Sequence, residues 1–293
     1  MGNLYKSIIL FYFSGTGNTK ILANIYSKEL RGKGCNVKIY AIEDLLKGKI
    51  KIQTKSFDIL GLGYPIHAFN APRIVFDFIK TLPISNDMPC FIFKCPGDSF
   101  IKAGSTSMIR NSLRKSGYLV FHEDLIIMPA NVFVRYGDEL SKELYEVAKR
   151  KIKRFANEIL AGKEKLQDNG FGLRLITWII SWMESNGAHL FGKHLKVSDS
   201  CNRCTLCTKI CPTSNIYIQR DRIKFGWKCI LCMRCIYKCP NNSIFPRFLK
   251  FFVLKENYDI DRLIKNVKIK ENYLFEKKDG FTKRLYHYVN DLD

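Results

Sequence analysis

The chain has 293 residues, 46% of them hydrophobic, which is enough for one large domain or two modest ones with their own cores. Lysine and arginine outnumber aspartate and glutamate by 48 to 27, and the resulting formal charge of +21 favours acidic partners or anionic surfaces. Eleven cysteines would suit a disulfide scaffold in a small secreted protein. Because eight of them fall into two short runs, the composition indicates metal binding instead.

The beginning of the sequence lacks the features of a secretory leader. The apolar stretch SIILFYF runs directly into SGTGNT, where a leader would need a small-residue cleavage site. The longest other apolar run, from Leu173 to Met183, contains Arg174 and is shorter than the ~20 residues of a membrane-spanning helix. We therefore expect a cytoplasmic protein without a transmembrane segment, in which thiols stay reduced.

From residue 7 to about residue 161, short β-rich runs alternate with longer helical patterns. The predicted helices include one that Gly32 and Gly34 end, one with Pro72 in its first turn, and a long one that Gly162 closes. The alternation predicts the α/β class, with a doubly wound parallel sheet whose ligands bind at the carboxyl ends of the strands. The five predicted strands are SIILFYF, NVKIYAI, FDILGLGYP, PCFIFKC and YLVFHEDLIIMP.

The loop SGTGNT follows the first predicted strand, and it has neither of two well-known nucleotide-binding patterns. It lacks the Lys that follows the second glycine of a Walker A loop, and Lys20 occupies the place of the third glycine in a dinucleotide fingerprint. Its hydroxyls and backbone N–H groups, at the start of a helix, can nevertheless hold a phosphate dianion. An ordinary polar turn is the alternative. The candidate phosphate ligands are Ser14, Gly15, Thr16, Gly17, Asn18 and Thr19.

This loop resembles the first loop of the flavodoxin family, which has the form hydrophobic-x-aromatic-x-[ST]-x-T-G-x-T. The resemblance covers roughly the first 160 residues. It implies a flavodoxin-like fold with flavin mononucleotide (FMN) as the ligand, its phosphate bound by the SGTGNT loop. The residues that match the pattern are Leu10, Tyr12, Ser14, Thr16, Gly17 and Thr19.

In flavodoxins, two further loops hold the isoalloxazine ring, and they follow the third and fourth strands. The corresponding segments here are GYPIHAFNAP, from Gly63 to Pro72, and KCPGDS, from Lys94 to Ser99. The resemblance implies aromatic stacking on the ring and backbone contacts to its polar edge. For His67, a proton donor and a loop hydrogen-bonder are both open, and Cys95 is either a ring neighbour or there by chance. The candidate ring-binding residues are Tyr64, Pro65, Ile66, His67, Phe69, Asn70, Cys95 and Gly97.

A connector at residues 163–197 is apolar on nearly every side between Phe171 and Met183. We expect a helix pressed between domains, because the segment lacks a clean polar face; a segment lying on a membrane surface is the alternative.

Two cysteine runs follow the connector. CNRCTLCTKICP begins at Cys201, and CILCMRCIYKCP repeats its cysteine spacing from Cys229, at a shift of 28 residues. Zinc is one interpretation, since paired C-x-x-C motifs bind it in tetrahedral sites. Three cysteines at successive intervals of three suit the corner of an iron–sulfur cube better. The duplication predicts two pseudo-symmetric halves.

Residues 198–246 resemble the two-cluster bacterial ferredoxins, in which each cube takes its fourth cysteine from the other run. The resemblance implies a small α+β two-cluster ferredoxin domain whose two [4Fe-4S] clusters replace a large apolar core. One cluster is then bound by Cys201, Cys204, Cys207 and Cys239, and the other by Cys229, Cys232, Cys235 and Cys211.

The order of these parts resembles the flavodoxin–ferredoxin fusion proteins of anaerobes, called flavoferredoxins. The resemblance implies electron transfer between the two clusters and FMN within one chain, as a soluble carrier or relay for redox partner proteins, which the charge predicts to be acidic. The alternative is an FMN-dependent reductase of a small molecule, fed through the clusters. No nucleic-acid partner is expected, and the oligomeric state is open. The predicted parts are an FMN-binding domain (1–162), a helical connector (163–197), a ferredoxin-like domain (198–247) and a basic aromatic tail (248–293) that either docks a partner or packs on its own protein.

Overall fold

The computed structural model describes residues 4–52, 56–98, 106–167 and 171–268, together with residues 285, 288 and 289. Within the range 171–176 it describes the backbone alone. Ser99, the last residue of the second predicted ring loop, and most of the tail beyond residue 268 lie outside the described residues.

Five parallel strands form the sheet of the first half, and they pair in the order second, first, third, fourth, fifth. This is the strand order of flavodoxin-like folds, in which a crevice opens at the carboxyl ends where the order reverses. The predicted α/β class is confirmed, and the fifth strand ends at Leu125 instead of Pro129. The strands are β1 (Ser7–Tyr12), β2 (Asn36–Ala41), β3 (Ile59–Pro65), β4 (Met88–Cys95) and β5 (Tyr118–Leu125).

Helices cover both faces of this sheet, and alternating strand residues supply both cores. Ile8 and Leu10 join the core under the first and fifth helices, whereas Ile9 and Phe11 join the core under the third and fourth. Cys35 and Cys90 are buried in these cores, as expected for small structural thiols. The helices are α1 (Asn18–Gly32), α2 (Ile42–Leu46), α3 (Arg73–Thr81), α4 (Thr106–Lys115) and α5 (Asp138–Leu160).

The connector helix α6 (Phe171–Lys193) extends ten residues beyond the predicted apolar stretch. One side of it packs on the loop after β3, where Asn70 Nδ2 donates to Ser181 Oγ at 2.9 Å. On the other side, Trp178 and Trp182 are more than half exposed. The expectation of a helix enclosed between domains is therefore wrong for this face, whereas Thr177, Ala188 and Phe191 on the other side are buried against the protein body. No helix in the described ranges is long and apolar enough to cross a membrane.

The cysteine-rich part consists of short helices and two antiparallel strand pairs, in which its first strand pairs with its last and its second with its third. Its backbone repeats itself at the 28-residue shift of the sequence. Left-handed φ angles recur at Arg203 and Leu231 (55° and 53°) and at Ser214 and Asn242 (51° and 50°). The predicted pseudo-symmetric halves are confirmed by this repetition. The elements are β6 (Leu195–Val197), α7 (Leu206–Ile210), β7 (Ile216–Gln219), β8 (Arg222–Phe225), α8 (Arg234–Tyr237) and β9 (Ile244–Pro246).

The described part of the tail packs on its own protein, as one of the two expectations had it. It forms a 3₁₀ turn at Lys250–Phe252 and the helix α9 (Ile260–Asn266). Tyr258 and Ile260 are buried in the core under α1 and α5. The tail therefore contributes to the flavodoxin-like domain itself.

Candidate redox site

A cleft of about 390 Å³ opens at the carboxyl ends of β1, β3, β4 and β5. It brings together most of the predicted phosphate-loop residues with parts of both predicted ring loops. This convergence follows from the parallel sheet, since the loops that leave parallel strands meet at one edge. The residues that line the cleft are Ser14, Gly15, Thr16, Asn18, Thr19, Pro65, Ile66, His67, Cys95, Gly97, Pro129 and Asn131.

The phosphate loop presents neutral donors at the first turn of α1. The hydroxyl-bearing side chains of Ser14, Thr16 and Thr19 are all buried there. Gly17 precedes the helix with a φ of 118°, and its N–H donates to Ser14 Oγ at 3.2 Å. Hydroxyl and N–H donors at the positive end of a 15-residue helix match the needs of a phosphate dianion. The residues present therefore fit the phosphate of FMN.

Two supports of this cleft were missed by the sequence analysis. Asn131, in the loop after β5, donates from Nδ2 to Thr16 Oγ1 at 2.8 Å. Tyr258, in the tail, donates from its hydroxyl to Asn18 Oδ1 at 2.6 Å, and the same hydroxyl lies 3.0 Å from Pro129 O. The loop after β5 could have been found from the rule on carboxyl ends. No sequence signal marks Tyr258.

Four predicted ligand residues do not line the cleft. Tyr64 is fully buried in the core with Leu60 and Leu62, because alternation along β3 directs all three side chains to the same face. Its expected role in ring stacking is corrected to a role in packing. Phe69 and Asn70 belong to a turn in which His67 and Asn70 exchange backbone hydrogen bonds of 2.8 Å. Gly17 is instead the N-cap residue of α1.

A titratable pair borders the cleft. His67 Nδ1 lies 4.0 Å from Glu184 Oε1 of α6, and both side chains are largely shielded from solvent. Burial lowers the pKa of His67 to about 4 and raises the pKa of Glu184 to about 7. Near neutral pH, the imidazole is therefore uncharged, while the carboxyl group is close to its midpoint.

The thiol of Cys95 also lines the cleft. Burial raises the pKa of its thiol to about 12, so the thiol stays protonated and unreactive at neutral pH.

The eight clustered cysteines divide into two groups of four, which we call the inner cage and the outer cage. The inner cage lines a small cavity beside the flavodoxin-like domain, and the outer cage lines a second small cavity. Each cage takes three cysteines from one run and the last cysteine from the other, as crossed ligation requires. The inner cage is Cys211, Cys229, Cys232 and Cys235, and the outer cage is Cys201, Cys204, Cys207 and Cys239.

Electrostatic coupling among the thiols follows the same grouping. Burial raises the pKa of Cys207, and repulsion from Cys201, Cys239 and Cys204 raises it further. Burial also raises the pKa of Cys229 to about 12. Four thiols this close need a positively charged group to ionise together, and a bound metal would supply it. Among the described residues, no group of three or more His, Cys, Asp or Glu side chains forms a site for a single metal ion.

The inner cage shares a wall with the phosphate loop. A Cβ added to Gly15 would lie 2.4 Å from the carbonyl oxygen of Cys232, so the two backbones touch. The guanidinium of Arg234 donates to Ser14 O at 2.6 Å and to Gly15 O at 3.3 Å. It also pairs with Glu43 at 2.7 Å. The cysteine loop is thus fastened directly to the lining of the cleft.

The outer cage faces solvent. Of the eight cysteines in the two runs, Cys204 alone is exposed. The two cages approach each other through Cys235 and Cys207, which repel one another as thiolates. The cleft, the inner cage and the outer cage therefore follow one another from the sheet to the protein surface.

Comparisons with known proteins agree with this division. Residues 193–240 match the family described as the 4Fe-4S dicluster domain. No curated protein matches the sequence. The chain is similar to a flavodoxin from the domain Archaea, at 17% identity over 52% of this chain and 98% of the other, with a TM-score of 0.36. It is also similar to the Streptococcus pneumonia TIGR4 flavodoxin, at 17% identity over 53% and 98%, with a TM-score of 0.38.

The flavodoxin of Megasphaera elsdenii matches at 21% identity over 49% of this chain and 98% of the other, with a TM-score of 0.33. The fold assignment itself follows from the strand order of the sheet. The chain joins a flavodoxin-like sheet domain to a ferredoxin-type 4Fe-4S domain, as in a flavodoxin–ferredoxin fusion, and this pairing indicates a redox protein that transfers electrons.

Proposed function

We propose that this protein transfers electrons between an FMN in the cleft and two [4Fe-4S] clusters, one in each cage, as a relay for redox partner proteins. The observation that carries the proposal is the wall shared by the cleft and the inner cage. There, Gly15 meets Cys232 without space for a methyl group, and Arg234 bridges the two loops. Such contact keeps two redox groups close together in a fixed geometry.

The residues of the cleft have distinct tasks in this proposal. Ser14, Thr16 and Thr19 hold the phosphate, and the segment from Pro65 to His67 holds the ring from one side. When bound, FMN supplies the link between one-electron and two-electron chemistry. Asn131, which lines the cleft, and Tyr258, which lies behind it, hold the loop residues in place through hydrogen bonds.

The cages keep their thiols ready for iron through backbone donors. The N–H of Asn215 donates to Cys211 Sγ at 3.2 Å, and the N–H of Ser243 donates to Cys239 Sγ at 3.3 Å. Hydrogen bonds to cluster sulfur stabilise the more negative, reduced form. Arg234 adds a partly buried positive charge beside the inner cage, and this charge acts in the same direction.

An anaerobic redox titration followed by both EPR and visible absorbance tests this function. We expect about eight iron atoms and one FMN per chain, with EPR signals from two interacting reduced cubes. The result that overturns the proposal is a colourless protein that contains zinc and no flavin.

A reductase of a small molecule is the second candidate function. The observation that favours it is the pair of His67 and Glu184, since two titratable groups at the edge of the cleft can serve proton transfer. Turnover assays with a reduced ferredoxin and a panel of small oxidants separate the two functions. A relay gives no steady-state turnover, whereas a reductase gives turnover that falls on substitution of His67 by Gln.

A further inference from the structure

A broad, open groove lies between β6 and the hairpin of β7 and β8, next to the outer cage. Its lining mixes apolar side chains, among them Val197, Ile218 and Ile223, with polar and charged ones. Cys201 of the outer cage also lines it.

The rim of this groove is basic. Lys193, Lys196, Arg203, Arg222 and Lys224 stand against only two acidic side chains, Asp199 and Asp221. All five basic residues are exposed. Within the described part of the chain, Lys196, Arg203 and Arg222 make no ion pair, so their charge is available to a partner.

The groove also lies at the solvent end of the row of redox sites. Arg203 is next to Cys204, the exposed cysteine of the outer cage. The inner cage, in contrast, is covered by the phosphate loop. A partner seated in the groove would therefore approach the outer cage closely, while the inner cage is screened from it.

We propose that this groove is the docking site for an acidic one-electron carrier protein, an inference that rests on the proposed function. An acidic carrier matches the basic rim of the groove. A second copy of this chain is disfavoured, since each copy carries a formal charge of +21. A flat membrane surface does not reach a concave floor.

The test compares two triple charge reversals of the anaerobically loaded full chain. The groove variant carries Lys196→Glu, Arg203→Glu and Arg222→Glu. The control variant carries Lys28→Glu, Lys115→Glu and Lys153→Glu, which are exposed residues of the flavodoxin-like domain with the same total charge change. A Gln triple at the groove positions is a second variant, should charge reversal disturb folding.

The probe is a dithionite-reduced, acidic [2Fe-2S] ferredoxin of the plant type, mixed by stopped flow. We expect the second-order rate constant at low ionic strength to fall about tenfold or more in the groove variant and about twofold or less in the control. At about 0.5 M salt the difference should largely vanish. Binding of oxidised ferredoxin, measured by thermophoresis, should weaken in parallel, and this readout does not depend on electron transfer.

A zwitterionic sulfonated viologen is the reference reductant, because it needs no docking and should reduce all variants at equal rates. If the rate constant for reduction by ferredoxin falls equally in the groove and control variants, or falls in neither, the docking site is overturned. Normal reduction by the viologen would then still support the proposed function. Absence of iron–sulfur EPR signals from the unmodified chain overturns the proposed function and the docking site together.

Discussion

The inner and outer cages share one backbone design in two different environments. Left-handed residues recur at the 28-residue shift, and equivalent N–H groups of Asn215 and Ser243 donate to the last cysteine of each run. The duplicated spacing therefore determines how each cage holds its ligands. It does not determine where each cage lies in the molecule.

The residues between the cysteines account for the difference in environment. The inner loop carries Ile230, Leu231, Met233 and Arg234, while the equivalent outer positions carry Asn202, Arg203, Thr205 and Leu206. The inner set packs on the flavodoxin-like domain and bonds to its phosphate loop, whereas the outer set includes exposed polar residues. One cage is thus a junction inside the molecule, and the other is open to partners.

The largest expected effect comes from removing the last cysteine of each run. Cys211→Ala should empty the inner cage, although Cys211 belongs to the first run, and Cys239→Ala should empty the outer cage. Each variant should lose about four of about eight iron atoms. Only Cys211→Ala should also weaken FMN binding, by about tenfold or more, because the inner cage supports the phosphate loop.

Iron analysis and fluorescence titration of FMN measure these two outcomes. Equal loss of FMN affinity in both variants would mean that the cages do not differ in their contact with the cleft. Loss of all iron from either variant would mean that the two cages do not assemble separately.

A methyl group at Gly15 should disturb the contact between the phosphate loop and the inner cage without removing a cysteine of either cage. The added Cβ of Gly15→Ala would lie 2.4 Å from the backbone carbonyl of Cys232, so one backbone must shift. Overpacking of this kind costs about 1–3 kcal/mol, and it should weaken FMN binding as well. Gly32→Ala is the matched control, because nothing lies within 4 Å of its added Cβ, and Ala suits a helix better by about 0.5–1 kcal/mol.

Urea unfolding under anaerobic conditions and FMN titration measure both variants. Wild-type stability and wild-type FMN affinity in Gly15→Ala would contradict close contact between the inner cage and the phosphate loop.

Removing the charge of Arg234 tests the contact between the inner cage and the phosphate loop. Arg234→Gln removes hydrogen bonds to the phosphate loop and leaves Glu43 without its ion-pair partner, at an expected cost of about 2–4 kcal/mol in the free energy of unfolding. Lys209→Gln removes an exposed positive charge next to the outer cage and should change stability by less than about 0.5 kcal/mol.

The same pair of variants tests the field at the inner cage. Loss of the partly buried Arg234 charge should lower the reduction potential of the inner cluster more than that of the outer one, as measured by EPR-monitored titration. If Lys209→Gln shifted a cluster's reduction potential more than Arg234→Gln does, the result would contradict the difference in burial between the two cages.

Much of this arrangement is readable from the sequence because it depends on local patterns. The alternation of strand and helix predicts the sheet, and SGTGNT after the first strand predicts the start of α1. The different environments of the two cages could also have been predicted from the sequence, because apolar Ile230 and Leu231 occupy the places of polar Asn202 and Arg203. An apolar spacer indicates a covered loop.

Other features depend on contacts between distant segments, for which a single sequence has no local signal. Tyr258 reaches Asn18 across 240 positions, and its neighbours show no motif. Tyr64 looks like a ring-stacking residue until the register of β3 directs it into the core. The exposed stripe on α6 likewise depends on which side of the helix the protein body happens to cover.

A further expected effect concerns pH, and it arises at the edge of the cleft, where Glu184 faces His67. Burial raises the pKa of Glu184 to about 7 in the folded protein, above its ordinary value of 4.5. The folded state therefore holds this proton more tightly than the unfolded state does, so stability is lost as pH rises from about 4.5 through 7. Glu184→Gln removes this loss because Gln does not ionise.

The variant should match the wild type near pH 5 and exceed it by up to about 3 kcal/mol at pH 8. His67 has the opposite slope, since burial lowers its pKa to about 4 and stability rises with pH as the unfolded imidazole loses its proton. In the wild type, the opposite contributions of Glu184 and His67 to the pH dependence of stability offset each other between about pH 4.5 and 6.5. In the variant only the contribution of His67 remains, so stability should rise with pH in this range. Thermal unfolding of both proteins at pH 5, 6.5 and 8 measures this. A variant that is less stable than the wild type at pH 8 would contradict this prediction. It would show that a favourable contact stabilises the Glu184 carboxylate and outweighs the cost of its burial.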